Sequence, residues 1–239
     1  MTMMSQFALN FGIYYALPGF YPAPNAEAQP LWERAARLVL NHYVMSFGMY
    51  WMHRALHENK FLWNNIHSIH HWAKHPLSRN TYEDHWADNF GNAIVGHMFA
   101  QILVPLDYPT FWFSRLFRIF ESLEKHSGIS CNLNIAHACQ RFWMPYAQMP
   151  HHHDWHHEGH KGCNYTFSSL GGVWDAAFGT RKVGRCDANN AASATRLDNH
   201  TKAKPAGHKP RTPAWFSSLM PVAAVGLMVC LKLGRQAAS

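Results

Sequence analysis

Four apolar stretches run along the chain, and each is a candidate for a helix that enters a bilayer, a crossing that takes about 20 mostly apolar residues. Ala214 to Leu231 is the clearest, with no charge inside it and with Lys232 and Arg235 after it. Leu38 to Met52 is shorter and carries Asn41 and His42, whereas Asn89 to Leu106 is uncharged but holds Asn92, His97 and Gln101. Met1 to Phe20 is uncharged, with polar breaks and a proline. Buried helices of a soluble domain are the alternative for the last three. Phe111 to Phe120 sets Arg115 and Arg118 three apart among bulky apolar groups. That pattern suits an interfacial helix with its basic side at lipid headgroups, or an ordinary amphipathic core helix.

From about 183 to 213 the chain is rich in Ala, Asn, Thr, Lys and Pro and keeps neither a helical nor a strand period, which predicts a flexible linker. The expected organisation is an N-terminal apolar segment (1–34), a functional core (35–182), a basic linker (183–213) and a C-terminal apolar helix (214–239) able to anchor in a membrane. No solenoid-type repeat is present.

Composition agrees with a surface that meets something other than water. The 239 residues are 48% hydrophobic and 15% charged, against about 25% charged in soluble domains. A mean hydropathy of -0.27 excludes a chain made mostly of membrane spans, although 19 histidines depress that average. The net charge of +7 is concentrated between Arg181 and Pro213, where eight basic residues stand against Asp187 and Asp198. A basic linker beside an apolar segment fits an anionic membrane surface and gives no reason to expect nucleic acid. Five cysteines without a CxxC pair read as free thiols in a reducing compartment. The N-terminus lacks the basic region of a signal peptide.

The histidines carry the chemistry. His53 and His57 form H-x3-H; His67, His70 and His71 form H-x2-H-H; His153, His156 and His157 repeat H-x2-H-H. Positions i, i+3 and i+4 share a helix face, so each cluster is expected to aim its imidazoles at a common point. Imidazole suits iron, zinc, copper or nickel. Eight such side chains exceed the needs of one ion, so two neighbouring ions in a helical bundle are expected. His85 and His126 are further candidate metal ligands. Asp154, Asp175, Glu83 and Asp88 are candidates to orient imidazole N–H groups. His151, His152 and His160 flank the third cluster, and spacing alone leaves open a register that uses His152 with His156.

Three segments, HRALHENKFLWNNIHSIHH, EKHSG and HHHDWHHEGHKGCNYTFSSLGGVWDAAFGT, together resemble the fatty acid hydroxylase superfamily. That group includes C4-methylsterol oxidases, sterol desaturases and sphingoid-base hydroxylases. The resemblance covers about residues 40 to 182, and its closing pattern corresponds to Asn164, Tyr165, Trp174, Asp175, Phe178, Gly179 and Thr180. It implies an all-α, integral-membrane helical bundle with a cytosol-facing, histidine-rich di-metal cap. By motif position, the three clusters are the metal ligands, His126 matches an additional HSG histidine, and His85 matches a histidine found in some branches. The implied cofactors are two Fe ions, with O2 as co-substrate and zinc able to substitute in a purified sample. The implied partners are a membrane lipid and a cytochrome b5 or NAD(P)H-dependent reductase, in the endoplasmic reticulum of a eukaryotic cell. Trp51, Trp63, Trp72 and Trp86 are candidates to wall the substrate pocket or to anchor at the membrane interface.

The expected reaction is oxidation of a lipid C–H bond. A sterol is favoured, with a sphingoid base or fatty acid, and desaturation or aldehyde chemistry, as alternatives. Two rivals come from other classes. A non-catalytic zinc-binding membrane protein explains the histidine content but not its ordered spacing. A zinc-dependent hydrolase needs only three protein ligands.

Overall fold

A computed structural model describes residues 21–23, 29–129, 134, 146, 148–158, 162–168 and 172–182. Met1 to Phe20, the basic linker and Ala214 to Leu231 lie outside them. Among the described residues the chain is helical and contains no strand.

The longest element, α1 (Leu31–Glu58), has 28 residues and so runs about 42 Å at the helical rise. It begins ahead of the expected start of the core at residue 35. Its buried positions include His42, Met45, Met49, His53 and Leu56, spaced three and four apart as one stripe. Against that stripe lies a helix made of α2 (Trp86–Asn89), a π-helical turn (Phe90–Val95) and α3 (Gly96–Leu103). The two run antiparallel. Asn41 Nδ2 donates to the Val104 carbonyl at 2.8 Å, Gly96 lies against Met49, and Gly91 lies against Met52. Gly96 permits this approach, since a Cβ there would stand 2.7 Å from Met49 Cγ.

Gln101 closes the following turn by exchanging hydrogen bonds with Leu106 at 2.9 and 3.0 Å. Asp107 then caps α4 (Tyr108–Lys125) by accepting from the Thr110 N–H, and also pairs with Arg34 at 2.6 Å. A short helix, α5 (Lys60–Asn65), leads from α1 into the 3-10 turn His67–Trp72, and a second 3-10 turn spans Ser78–Tyr82. Two short helices, α6 (Pro150–His157) and α7 (Gly172–Ala177), complete the described fold.

The polarity of α4 is inverted relative to a water-soluble helix. Its buried positions include Ser114, Arg118, Glu121 and Lys125, while Phe113, Leu116 and Phe120 are 57%, 66% and 45% exposed. The expected interfacial helix with its basic side at headgroups is therefore corrected: Arg118 turns inward because Glu121, one turn on, gives it a buried ion-pair partner. Among the described residues no helix is long and apolar enough to cross a membrane. The stretch Asn89 to Leu106 is interrupted by the π turn, and Leu38 to Met52 is the middle of α1 with its polar residues facing inward.

At the start of α7, an added Cβ on Gly172 would overlap the Tyr146 carbonyl oxygen and touch Gln148 Cγ at 3.0 Å. In an open helix, Gly→Ala stabilises by about 0.5–1 kcal/mol; here the overlap with backbone reverses the sign. Gly172→Ala is expected to destabilise the protein by about 1–3 kcal/mol, read as a lowered denaturant midpoint.

Candidate metal centre

Nine histidines converge between α1, the first 3-10 turn, the end of α4, and α6. They fall into two groups: His53, His57, His67, His71 and His156 in one, and His70, His126, His153 and His157 in the other. The groups adjoin, with His71 stacked on His157 at a ring separation of 4.3 Å. The expectation that each sequence cluster aims at one point is corrected. In both H-x2-H-H motifs the i and i+4 histidines share a group and the i+3 histidine enters the other. His67 and His71 thus face one way and His70 the other, as do His153 and His157 against His156. The packing of α6 against the 3-10 turn makes that division.

The geometry identifies which ring nitrogens are available. His53 Nδ1 donates to the Tyr165 carbonyl at 2.5 Å, His156 Nδ1 to Cys163 at 2.8 Å, His157 Nδ1 to Ala73 at 3.0 Å and His126 Nδ1 to Ser122 at 2.8 Å. A carbonyl can only accept, so these rings carry their proton on Nδ1 and present a bare lone pair at Nε2. The Nε2 atoms nevertheless lie close together: His53 to His67 at 3.0 Å, His57 to His67 at 2.9 Å, and His156 to His53 at 3.1 Å. In the second group His126 stands 3.2 Å from His70, His153 3.0 Å from His126, and His157 3.1 Å from His153.

Where both rings carry the proton on Nδ1, as His53 does against His156 and against the Asp88-bound His67, the facing lone pairs cannot form a hydrogen bond and match the edges of a coordination shell. Ligand nitrogens about 2.0–2.1 Å from an ion stand about 2.9 Å apart at right angles and about 3.3 Å apart at tetrahedral angles. The observed edges fall in that range, so the residues present fit two metal ions.

Burial keeps these rings neutral. It pushes His53, His71, His153, His156 and His157 well below the ordinary imidazole value, and neighbouring imidazoles add to the effect. Burial likewise lowers His70 to about 4 and His126 to about 3. Lys125, beside His126, is also driven well down by burial and donates to Gln148 Oε1 and the Thr166 carbonyl.

The supporting carboxylates divide differently from expectation. Asp88 makes the direct contact, with Oδ2 2.5 Å from His67 Nδ1 and Oδ1 held by Asn92 at 2.6 Å. Burial opposes its ionisation, but His67, His70 and Asn92 overcome this and hold it below its ordinary value. Asp175 acts at one remove. It accepts from the N–H groups of Tyr165 and Thr166, from Gln148 and from the Thr180 hydroxyl, fixing the strap whose Tyr165 carbonyl orients His53. Asp154 faces His75 at 3.7 Å, and Glu83 accepts from Asn80.

His85 lies outside both groups. Its Nδ1 accepts from the Ala87 N–H at the start of α2, so that lone pair is spent on a helix cap. His152 is also outside, its Nδ1 accepting from Met149 N–H, which decides the register in favour of His153; His160 lies outside the described residues. The carbonyls that orient the rings carry no side-chain signature, and sequence reasoning did not find them.

A cavity of about 80 Å³ opens beside His70 and His126, lined also by Asp88, Asn92, Arg118 and Phe167. Among the described residues no tryptophan lines it. Trp63 instead packs against His57 and His71, at ring separations of 4.9 and 5.1 Å, whereas Trp51 and Trp86 are exposed on the outer surface. Cys163 is a free thiol, pushed up to about 11 by burial and so not poised to react.

Fold and site define a helical protein with a buried, paired histidine cage. A profile for fatty acid hydroxylases matches residues 38–180, and the chain belongs to that family. It is 29% identical over 152 residues to a very-long-chain aldehyde decarbonylase of Oryza sativa subsp. japonica, covering 64% of this chain and 48% of the relative. It is also 29% identical over 152 residues to a methylsterol monooxygenase of Arabidopsis thaliana, covering 64% and 50%. A sphinganine C4-monooxygenase of Arabidopsis thaliana is 28% identical over 147 residues, covering 61% and 54%. The chain thus spans about half the length of these curated relatives. No solved structure matches it.

Two outcomes follow. Asp88→Asn is expected to weaken metal retention about 10–100-fold, measured by competition with a chelator. The lowered histidines bind protons more readily in the unfolded chain, whose imidazoles titrate near about 6.5. Stability is therefore complete above that pH and is lost as pH falls below it. A pH titration of metal content and of unfolding midpoint should show both declining together from about pH 6.5 downward.

Proposed function

We propose that the protein is a non-haem di-iron oxygenase that uses O2 to hydroxylate or oxidise a C–H bond of a membrane lipid, with a sterol of the C4-methyl class as the favoured substrate. The observation that carries this reading is the paired cage of nine converging imidazoles. A hydrolase would use three ligands and an open position, and a storage site would not need five of its rings held in one tautomer. Iron, when bound, supplies the O2-derived oxidising power that an unactivated C–H bond requires.

The chain's own residues bind, orient and shield. His53, His57, His67, His71 and His156 hold one ion, and His70, His126, His153 and His157 hold the other. Asp88 and the Tyr165, Cys163, Ala73 and Ser122 carbonyls fix ring tautomers. The buried surroundings of the cage exclude bulk water. Insertion of one oxygen atom from O2, with the other leaving as water, consumes two external electrons. That need supports a cytochrome b5 or NAD(P)H-dependent reductase as partner.

Membrane association is supported by the outward apolar residues of α1 and α4. Leu31, Trp32, Leu40, Phe113 and Leu116 are 81%, 73%, 54%, 57% and 66% exposed, and an apolar medium would cover them. With the basic linker on the cytosolic side, the cage faces the cytosol, and in a eukaryotic cell the setting is the endoplasmic reticulum. The family resemblance to sphinganine C4-monooxygenase favours a sphingoid base as the second substrate class.

Protein purified in detergent after growth with iron and without added zinc is expected to hold two irons per chain. His70→Ala combined with His156→Ala removes one ligand from each group and should lose that iron together with O2-dependent oxidation of sterol or sphingoid-base substrates. One tightly held zinc and no iron under these conditions would overturn the oxygenase reading.

A further inference from the structure

A different donor set stands just outside the cage. His75 lies four residues beyond His71, and its Nδ1 is 3.1 Å from Glu158 Oε1 and 3.7 Å from Asp154 Oδ2. One donor atom from each of the three residues lies within 4.8 Å of the others. Asp154 is buried, whereas the side chains of His75 and Glu158 are 18% and 26% exposed. The set therefore reaches from the protein interior to solvent.

The donor geometry of the set suits a cation. Asp154 and Glu158 are four apart, on one face of the last turn of α6, where like charges repel. Glu158 is also the C-cap residue, where the helix dipole adds further negative potential. A divalent ion between the carboxylates neutralises both at once. One imidazole nitrogen and two carboxylate oxygens form a donor set of intermediate hardness, suited to manganese, ferrous iron, cobalt or zinc. Three protein ligands near solvent leave positions for water, so binding is expected to be weaker and faster than in the all-histidine cage.

The location ties this set to the cage. Asp154 follows His153 and Glu158 follows His157, while Ala73, two residues before His75, accepts the His157 Nδ1 proton. Cage histidines such as His53, His67 and His153 are wholly buried, so an ion needs a route inward from solvent. We propose that His75, Asp154 and Glu158 form a third divalent-cation site at the solvent edge of the cage, from which the buried histidines are supplied. This assignment depends on the donor set alone and holds for any metal the cage prefers.

The test uses the full chain with its cage filled by two equivalents of zinc, a redox-silent ion that histidine sites accept. Mn2+ is then titrated in, and the free ion is followed by electron paramagnetic resonance. One further equivalent is expected to bind the unaltered protein. Its affinity should fall at least about tenfold, or about 1.4 kcal/mol, in His75→Ala and in Glu158→Gln. Retention of two zincs and an unchanged far-ultraviolet circular dichroism spectrum show that each variant is folded. Should His75→Ala not fold, Glu158→Gln, at a more exposed position, decides alone. No Mn2+ binding by the unaltered protein, or equal binding by the variants, overturns the site and leaves His75 as an ion-pair partner of α6. Zinc uptake by metal-free protein should also be slower in both variants, and equal uptake rates would overturn the supplying role.

Discussion

Imidazole lone pairs pointed at one another at about 3 Å repel, and most of the described structure exists to hold them there. Five of the rings are fixed at their other nitrogen, so that they cannot rotate or switch tautomer to relieve the contact. The carbonyls of Tyr165, Cys163, Ala73 and Ser122, with the Asp88 carboxylate, provide those fixed points. Asp175 holds Tyr165 and Thr166 by their N–H groups, and Lys125 reaches the Thr166 carbonyl from α4. The buried charges thus serve the backbone, and the backbone serves the rings. Such an arrangement is costly without metal and would be favourable with it, so metal binding would be coupled to folding.

The same constraint explains the inverted polarity of the bundle. A site needing nine imidazoles, an aspartate and several amides at its centre leaves little room for a conventional apolar core. Among the described residues, small apolar clusters form from Leu56, Leu62, Ile66 and Ala87, and from Met45, Met49 and Ala100. Stability must come from elsewhere, from the metal and from whatever covers the outward faces of α1 and α4. Phe113 and Leu116 on α4 and Leu40 on α1 are the counterpart of Arg118, Glu121 and His42 turned inward.

Spacing made the three histidine clusters legible in the sequence, because i, i+3 and i+4 is a pattern that chance rarely repeats. The division between two groups was not legible from residue types. It depends on how α6 and the His67–Trp72 turn face each other across the cage, and only their packing decides that i and i+4 share a group. His126 was reached through the HSG resemblance, not through spacing, since it caps α4 far from any other histidine in sequence. His85 looked equivalent and is not, because a histidine at a helix start has a backbone N–H within reach. Orienting carbonyls are invisible in any sequence, and Asp88 could be distinguished from Asp154 only by the ring it touches.

Hydropathy averages fail on this chain for a related physical reason. Counting along α1, each polar residue lowers the mean and argues against contact with lipid, yet Asn41, His42, Ser46 and His53 all turn inward. What faces outward on the same helix is Leu31, Trp32, Val39, Leu40 and Trp51. A helix with a polar stripe toward a metal site and an apolar stripe toward its surroundings has an unremarkable mean and a clear direction. The direction, not the mean, bears on the membrane question. On that measure the middle of α1 agrees with α4, since Asn41, His42 and Ser46 turn inward there while Val39, Leu40 and Trp51 turn outward, as Arg118 and Glu121 turn inward on α4 while Phe113 and Leu116 turn outward. Two neighbouring helices with the same inversion are better explained by one apolar medium covering them both than by separate local accidents of packing.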